Sequence, residues 1–216
     1  MKTITLDNKN YNIGKIVCVG RNYAEHAKEL GNEIPEFPLI FLKPSSSLIF
    51  SEQNIIHPSY GNELHHEVEL VLLIGKTIKD ADIIEAEKSV VGYTVGLDMT
   101  LRDTQNLLKA KGHPWTLAKC FDTSAVISNF VSVKDYKLTL NETIKLSVNN
   151  IEKQNSKLNM MLFKPAEIIS YISKTMTLEE GDLIFTGTPS GVNRVVKGDN
   201  IKASIENLTE LTTEIV

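Results

Sequence analysis

The chain has 216 residues, 42% hydrophobic and 23% charged, with a formal net charge of -4. That is enough chain for a substantial core and, in a strand-rich protein, for one domain spanning residues 1–216. The acidic balance offers no basic stripe for nucleic acid, and no apolar run approaches the roughly 20 residues that cross a bilayer. Two cysteines far apart, Cys18 and Cys120, argue against a disulfide framework or a thiolate zinc site. The first ten residues lack the apolar segment of an export signal, so a cytoplasmic protein is expected.

In chain order, KIVCVG at 15–20 is a short apolar run and reads as a buried strand. A short helix is expected over 24–30, ended by Gly31 in the left-handed conformation. Residues 38–43 predict another strand, closed by Pro44 and three serines. Segments 64–75 and 90–98 predict two longer strands. Thr100 and Asp103 have the spacing of a capping box, opening a helix that reaches Gly112. Short strands dominate from Phe130 onward, with a helix near 165–173 and a strand at 182–187. The pattern is α+β, predominantly β, with a few short helices.

The stretch HHEVELVLLIG at 65–75 carries the most chemistry. Side chains alternate along a strand, so Val68, Leu70, Leu72 and Ile74 form one apolar face. Glu67 and Glu69 share the other face with Val71 and Leu73. Two carboxylates at the edge of an apolar region repel each other and resist desolvation, and a cation between them relieves both problems. In the 90–98 strand, Thr94, Gly96 and Asp98 share a face whose small residues leave room for a ligand. Glutamates exposed to water and a turn-capping Asp98 are the plainer readings of these residues. Three carboxylates together suit a hard cation, Mg²⁺, Mn²⁺ or Ca²⁺, and suit zinc poorly.

Six motifs in order resemble the fumarylacetoacetate hydrolase (FAH) family: GRNYAEH at 20–26, FLKP at 41–44, HHEVEL at 65–70, GLDMTLRDTQ at 96–105, PWTLAKCFD at 114–122 and GDLIFTGTPSGV at 181–192. The length is similar to the single-domain branch of FAH domain-containing acylpyruvases. The resemblance implies a mixed β-sandwich roll, a homodimer, and Mg²⁺ or Mn²⁺ held by Glu67, Glu69 and Asp98. It implies a small 2-oxo acid substrate chelated through its oxo group and carboxylate.

It further implies that His26 and Glu29, at i and i+3, form an acid–base dyad, with glutamate orienting the imidazole. Lys119 would stabilise an oxyanion or enolate. Arg21, Lys43, Gln105 and Thr188 are weaker candidates for binding the substrate, the last through the loop at 186–191. On sequence grounds alone each could be an ordinary surface, helix or turn residue. His65 and His66 are expected in supporting rather than ligating roles. Two departures from the family pattern stand out: Cys120 where serine is frequent and Asn193 where glycine is common, the latter tolerating a left-handed backbone.

The function implied is a Mg²⁺-dependent hydrolase or lyase cleaving C–C bonds of short 2-oxo acids, such as an acylpyruvate hydrolase with oxaloacetate decarboxylase activity. Alternatives are 2-hydroxyhepta-2,4-diene-1,7-dioate isomerase, oxaloacetate tautomerase and, more remotely, a noncatalytic metal- or ligand-binding protein. The His26–Glu29 pair tilts the reading towards hydrolysis.

Overall fold

The computed structural model describes residues 2–29, 31 and 33–216. Its centre is a mixed sheet in the order Leu39–Pro44, Lys15–Gly20, Leu183–Phe185, Val68–Ile74, Val90–Asp98, Ala125–Ile127, Leu48–Phe50. Lys15–Gly20 runs parallel to Leu183–Phe185, and Ala125–Ile127 parallel to Leu48–Phe50; the other neighbours along this path are antiparallel. A four-stranded antiparallel sheet, Ile151–Lys157, Thr143–Val148, Asn200–Ile205, Thr209–Glu214, packs against it.

The middle strand, Val68–Ile74, is buried at every position. Its even-numbered side chains enter a large cluster with Ile144, Ile169 and Ile201. Val71 and Leu73 enter a second cluster with Ile16, Leu48 and Phe185. Near-continuous apolar sequence is what a strand covered on both faces requires. The helix Pro165–Thr175 begins with proline at a first-turn position, where the missing N–H is harmless. The fold is thus α+β with a predominantly β core, as expected.

Two local expectations are corrected. The 64–75 segment is two strands, Leu64–His65 and Val68–Ile74, with His66 and Glu67 between them. Leu64–His65 pairs instead with Arg194–Val195 and Thr100–Leu101. Because Thr100 is in that small sheet, it caps no helix: Arg102–Ala110 starts without a side-chain cap. Asp103 instead accepts the Asn62 N–H at 2.7 Å, pinning the neighbouring loop. The short helix is Ala24–Glu29, and Gly31 is left-handed at φ +66°. Its expected last residue, Leu30, lies outside the described residues.

Candidate active site

The Val68–Ile74 and Val90–Asp98 strands pair so that Glu69 faces Gly96. One step on, the Asp98 N–H donates to the Glu67 carbonyl at 2.9 Å. This register brings Glu67, Glu69 and Asp98 together, one carboxylate oxygen from each lying within 4.8 Å of the others, all buried. Glu67 converges although it precedes the strand. The space beside Gly96 is not a ligand cavity, contrary to expectation. A Cβ there would lie 2.6 Å from Val71 Cγ2 and 2.9 Å from Phe185 Cε1, so core side chains fill it.

Three buried carboxyl groups require compensation. Lys119 Nζ donates to Glu67 Oε2 at 2.8 Å and Asp98 Oδ2 at 2.6 Å. The Arg102 guanidinium donates to Glu67 Oε1. Burial resists ionisation of Glu67, but the charges of Lys119 and Arg102 outweigh it and hold the carboxyl well below its usual range. Burial likewise opposes the Lys119 charge, yet Asp98 and Glu67 raise its pKa to about 12. Glu69 differs: it makes no ion pair among the described residues and accepts only the Gly187 N–H, at 2.7 Å. Burial, then the charges of Asp98 and Glu67, push its carboxyl well above normal. A further cation would be most favourable here, and the all-oxygen donor set fits a hard divalent ion.

Lys43 does not line the cavity, so the expectation that it grips substrate is corrected. Its buried ammonium donates to the carbonyls of Met99, Ser124 and Lys119 and to Ser124 Oγ. It stands 2.8 Å from Asp98 Oδ1. Those partners use up its donors and fix Asp98 from behind.

The cavity encloses about 40 Å³, with His26, Lys119, Thr188, Arg21 and Gln105 lining it beside the carboxylates. Arg102 lines it too, a residue the sequence reading passed over. Arg102 Nη1 donates to Gln105 Oε1 at 2.6 Å; the i, i+3 spacing of these two on one helix was the available signal.

His26 is buried, and its Nδ1 lies 3.3 Å from Glu29 Oε2. Burial lowers the imidazole pKa, partly offset by Glu67 and by the Glu29 hydrogen bond, so the ring is neutral near pH 7. Glu29 also receives the Gly191 N–H at 3.1 and 3.2 Å, joining the helix to the 186–191 loop. Asn22 makes the same connection from the other end, donating to Thr186 O at 2.7 Å and to Phe163 O at 2.9 Å.

His66 Nδ1 meets Gln154 Oε1 at 2.9 Å, a supporting position. Burial, then Arg102, depress the His65 pKa to about 4. Cys120 Sγ donates to the Leu42 carbonyl at 3.1 Å. Asn193 is not left-handed; its carbonyl accepts the His66 N–H, and its side chain the Arg194 N–H at 2.7 Å. The left-handed positions of the loop are Gly187 and Gly191, both at φ +95°.

A buried carboxylate trio at the central strands of the mixed sheet, faced by lysine and histidine, marks an enzyme site. Residues 15–216 match the family described as Fumarylacetoacetate (FAA) hydrolase C-terminal, and the chain belongs to this family. It is 48% identical over 212 residues to a Dictyostelium discoideum protein named Oxaloacetate decarboxylase, mitochondrial, covering 97% of each chain. It is 40% identical to Oxaloacetate tautomerase YcgM of Escherichia coli strain K12, covering 96% of this chain and 94% of that one. Among solved structures, the fumarylpyruvate hydrolase of Pseudomonas aeruginosa in complex with Mn²⁺ and pyruvate superposes with a TM-score of 0.95. The two are 36% identical, covering 100% of this chain and 95% of that one. The family and its fold are as the motifs implied, and the family's chemistry is that of enzymes acting on 2-oxo acids.

Proposed function

We propose that this protein is a Mg²⁺- or Mn²⁺-dependent enzyme that interconverts the enol and keto forms of oxaloacetate. The observation that carries this reading is the convergence of a neutral His26 and a charged Lys119 on a small cavity floored by three carboxylates. The names of the relatives point to the same substrate.

Glu67, Glu69 and Asp98 would hold the cation, which when bound supplies positive charge against the 2-oxo oxygen and adjacent carboxylate. His26, its Nδ1 turned to Glu29, has Nε2 available to carry a proton to or from C3. The Lys119 ammonium neutralises negative charge developing on the substrate oxygen. Thr188 and the glycine-rich loop receive the carboxylate, with Arg21 and Gln105 closing the cavity. Loss of the C3 carboxyl as carbon dioxide would leave the same electron pair to be stabilised, so slow decarboxylation is expected alongside.

A second reading is acylpyruvate hydrolysis, with His26 and Glu29 deprotonating water. A groove of about 400 Å³ adjoins the site along Phe41, Trp115 and Lys119, and could take an acyl tail. We further infer one catalytic unit, acting as a cytoplasmic homodimer; both cysteines are free, which suits a reducing compartment.

The test is a panel of oxaloacetate, acetylpyruvate and a dienoate diacid, followed by ultraviolet absorbance with Mg²⁺ or Mn²⁺, with and without EDTA. Oxaloacetate enol should turn over fastest and chelation should abolish it. Faster acetylpyruvate cleavage would transfer the assignment to the hydrolase reading, and chelation-insensitive turnover would sink the cation.

A further inference from the structure

One buried side chain outside the expected motifs reaches the site from the second sheet. Gln154, on the Ile151–Lys157 strand, is 1% exposed. Its amide is oriented by backbone groups at both ends. The Val68 N–H, 3.1 Å from Oε1, can only donate. The Pro189 carbonyl, 2.8 Å from Nε2, can only accept. No flipped amide satisfies both, so oxygen and nitrogen are assigned by chemistry alone. His66 Nδ1 donates to the same oxygen. The remaining amide proton is directed at Thr188 Oγ1, at 2.8 Å.

This settles what Thr188 can offer. A hydroxyl has one proton to give and two lone pairs. With one lone pair taken by Gln154, the proton is free for another partner, and no protein acceptor takes it among the described residues. Thr188 is buried yet lines the cavity. A donor facing that space recognises an acceptor, and a carboxylate accepts most strongly.

We propose that Gln154 is a positioning residue that fixes the Thr188 hydroxyl as a hydrogen-bond donor, making this wall of the cavity selective for a ligand carboxylate. The inference rests on the 2-oxo acid reading and deepens it. Gln154 also ties the start of the Val68–Ile74 strand to the 186–191 loop, so carboxylate recognition is set by the same group that sits behind the carboxylate floor.

The experiment measures pyruvate affinity of the Mn²⁺-loaded protein by calorimetry for wild type, Q154M, T188V and the double variant, with Mn²⁺ affinity measured separately. A hydrogen bond to a charged group predicts roughly 10- to 100-fold weaker pyruvate binding for T188V and for Q154M. The double variant should bind no worse than T188V within about 2-fold, because the two act on one bond. Oxaloacetate KM should rise while kcat changes less, the signature of lost ground-state binding. Losses that multiply in the double variant, or a folded Q154M with unchanged affinity, would overturn the role of Gln154. Should Q154M fail to fold, Q154E keeps the size but turns the Thr188 proton inward, and unchanged pyruvate affinity there would overturn it equally. Wild type that binds Mn²⁺ but no pyruvate would sink the functional reading and this inference together.

Discussion

Glu69 and Asp98 belong to paired strands buried on both faces and Glu67 immediately precedes one of them, whereas His26 and Glu29 stand on a six-residue helix with Glu29 at the surface. The first group is held by cross-strand register and by cations packed behind it. The second is too short to be helical alone. It is held by Asn22 at its entry and by the Glu29–Gly191 bond at its end. One side of the cavity can therefore stay fixed while the other is tuned by a few hydrogen bonds. On the proposed function, binding of a cation falls to the rigid side and proton transfer to the tunable one.

The largest test of this division is His26→Ala. The turnover rate should fall roughly 10²- to 10⁴-fold, as for loss of a general acid–base group, while calorimetric Mn²⁺ affinity stays unchanged. A parallel fall in Mn²⁺ affinity would show that the two sides are not separable.

Next in size is Lys43→Met, which acts on the rigid side from behind. Removing one member of a buried ion pair costs about 3–5 kcal/mol, so the melting temperature should drop. Loosening Asp98 should weaken Mn²⁺ roughly 10- to 100-fold, the usual effect of losing a group that orients a ligand. Native Mn²⁺ affinity in a folded Lys43→Met protein would leave Asp98 fixed by the strand alone.

The smallest effect is on pH dependence. Burial holds the His26 pKa below its ordinary 6.5, so the acid limb of kcat/KM should fall below pH 6.5, where the ring becomes protonated and ceases to be a base. Glu29 favours the protonated ring; Glu29→Gln should therefore move that limb to still lower pH. A limb moving upward would mean that Glu29 does not face the imidazole in solution.

The carboxylates were legible because strand alternation and a glutamate pair with no reason to be adjacent are local signals. The exact strand break at His66–Glu67 was not legible, since it follows from pairing with residues 100–101 and 194–195. The Thr100–Asp103 spacing imitated a cap for the same reason: a distant strand claimed Thr100. Lys43 was a candidate for gripping substrate, but its carbonyl and hydroxyl partners lie 56 to 81 positions away and only the fold shows that they exhaust it. Gln154 gave no signal at all on an exposed-looking polar strand. Long-range polar satisfaction is invisible to periodicity, and in this molecule it arranges most of the site.

The missing side chain at Gly96 has a practical consequence for anyone redesigning the enzyme. Val71 and Phe185 press into that gap directly opposite Glu69, so even an alanine there would shift the sheet beneath the carboxylates. A mutant library aimed at larger substrates should leave position 96 untouched, together with Gly187, whose N–H holds Glu69, and draw its diversity from Arg21 and residues 113–115, which line the cavity and its adjoining groove.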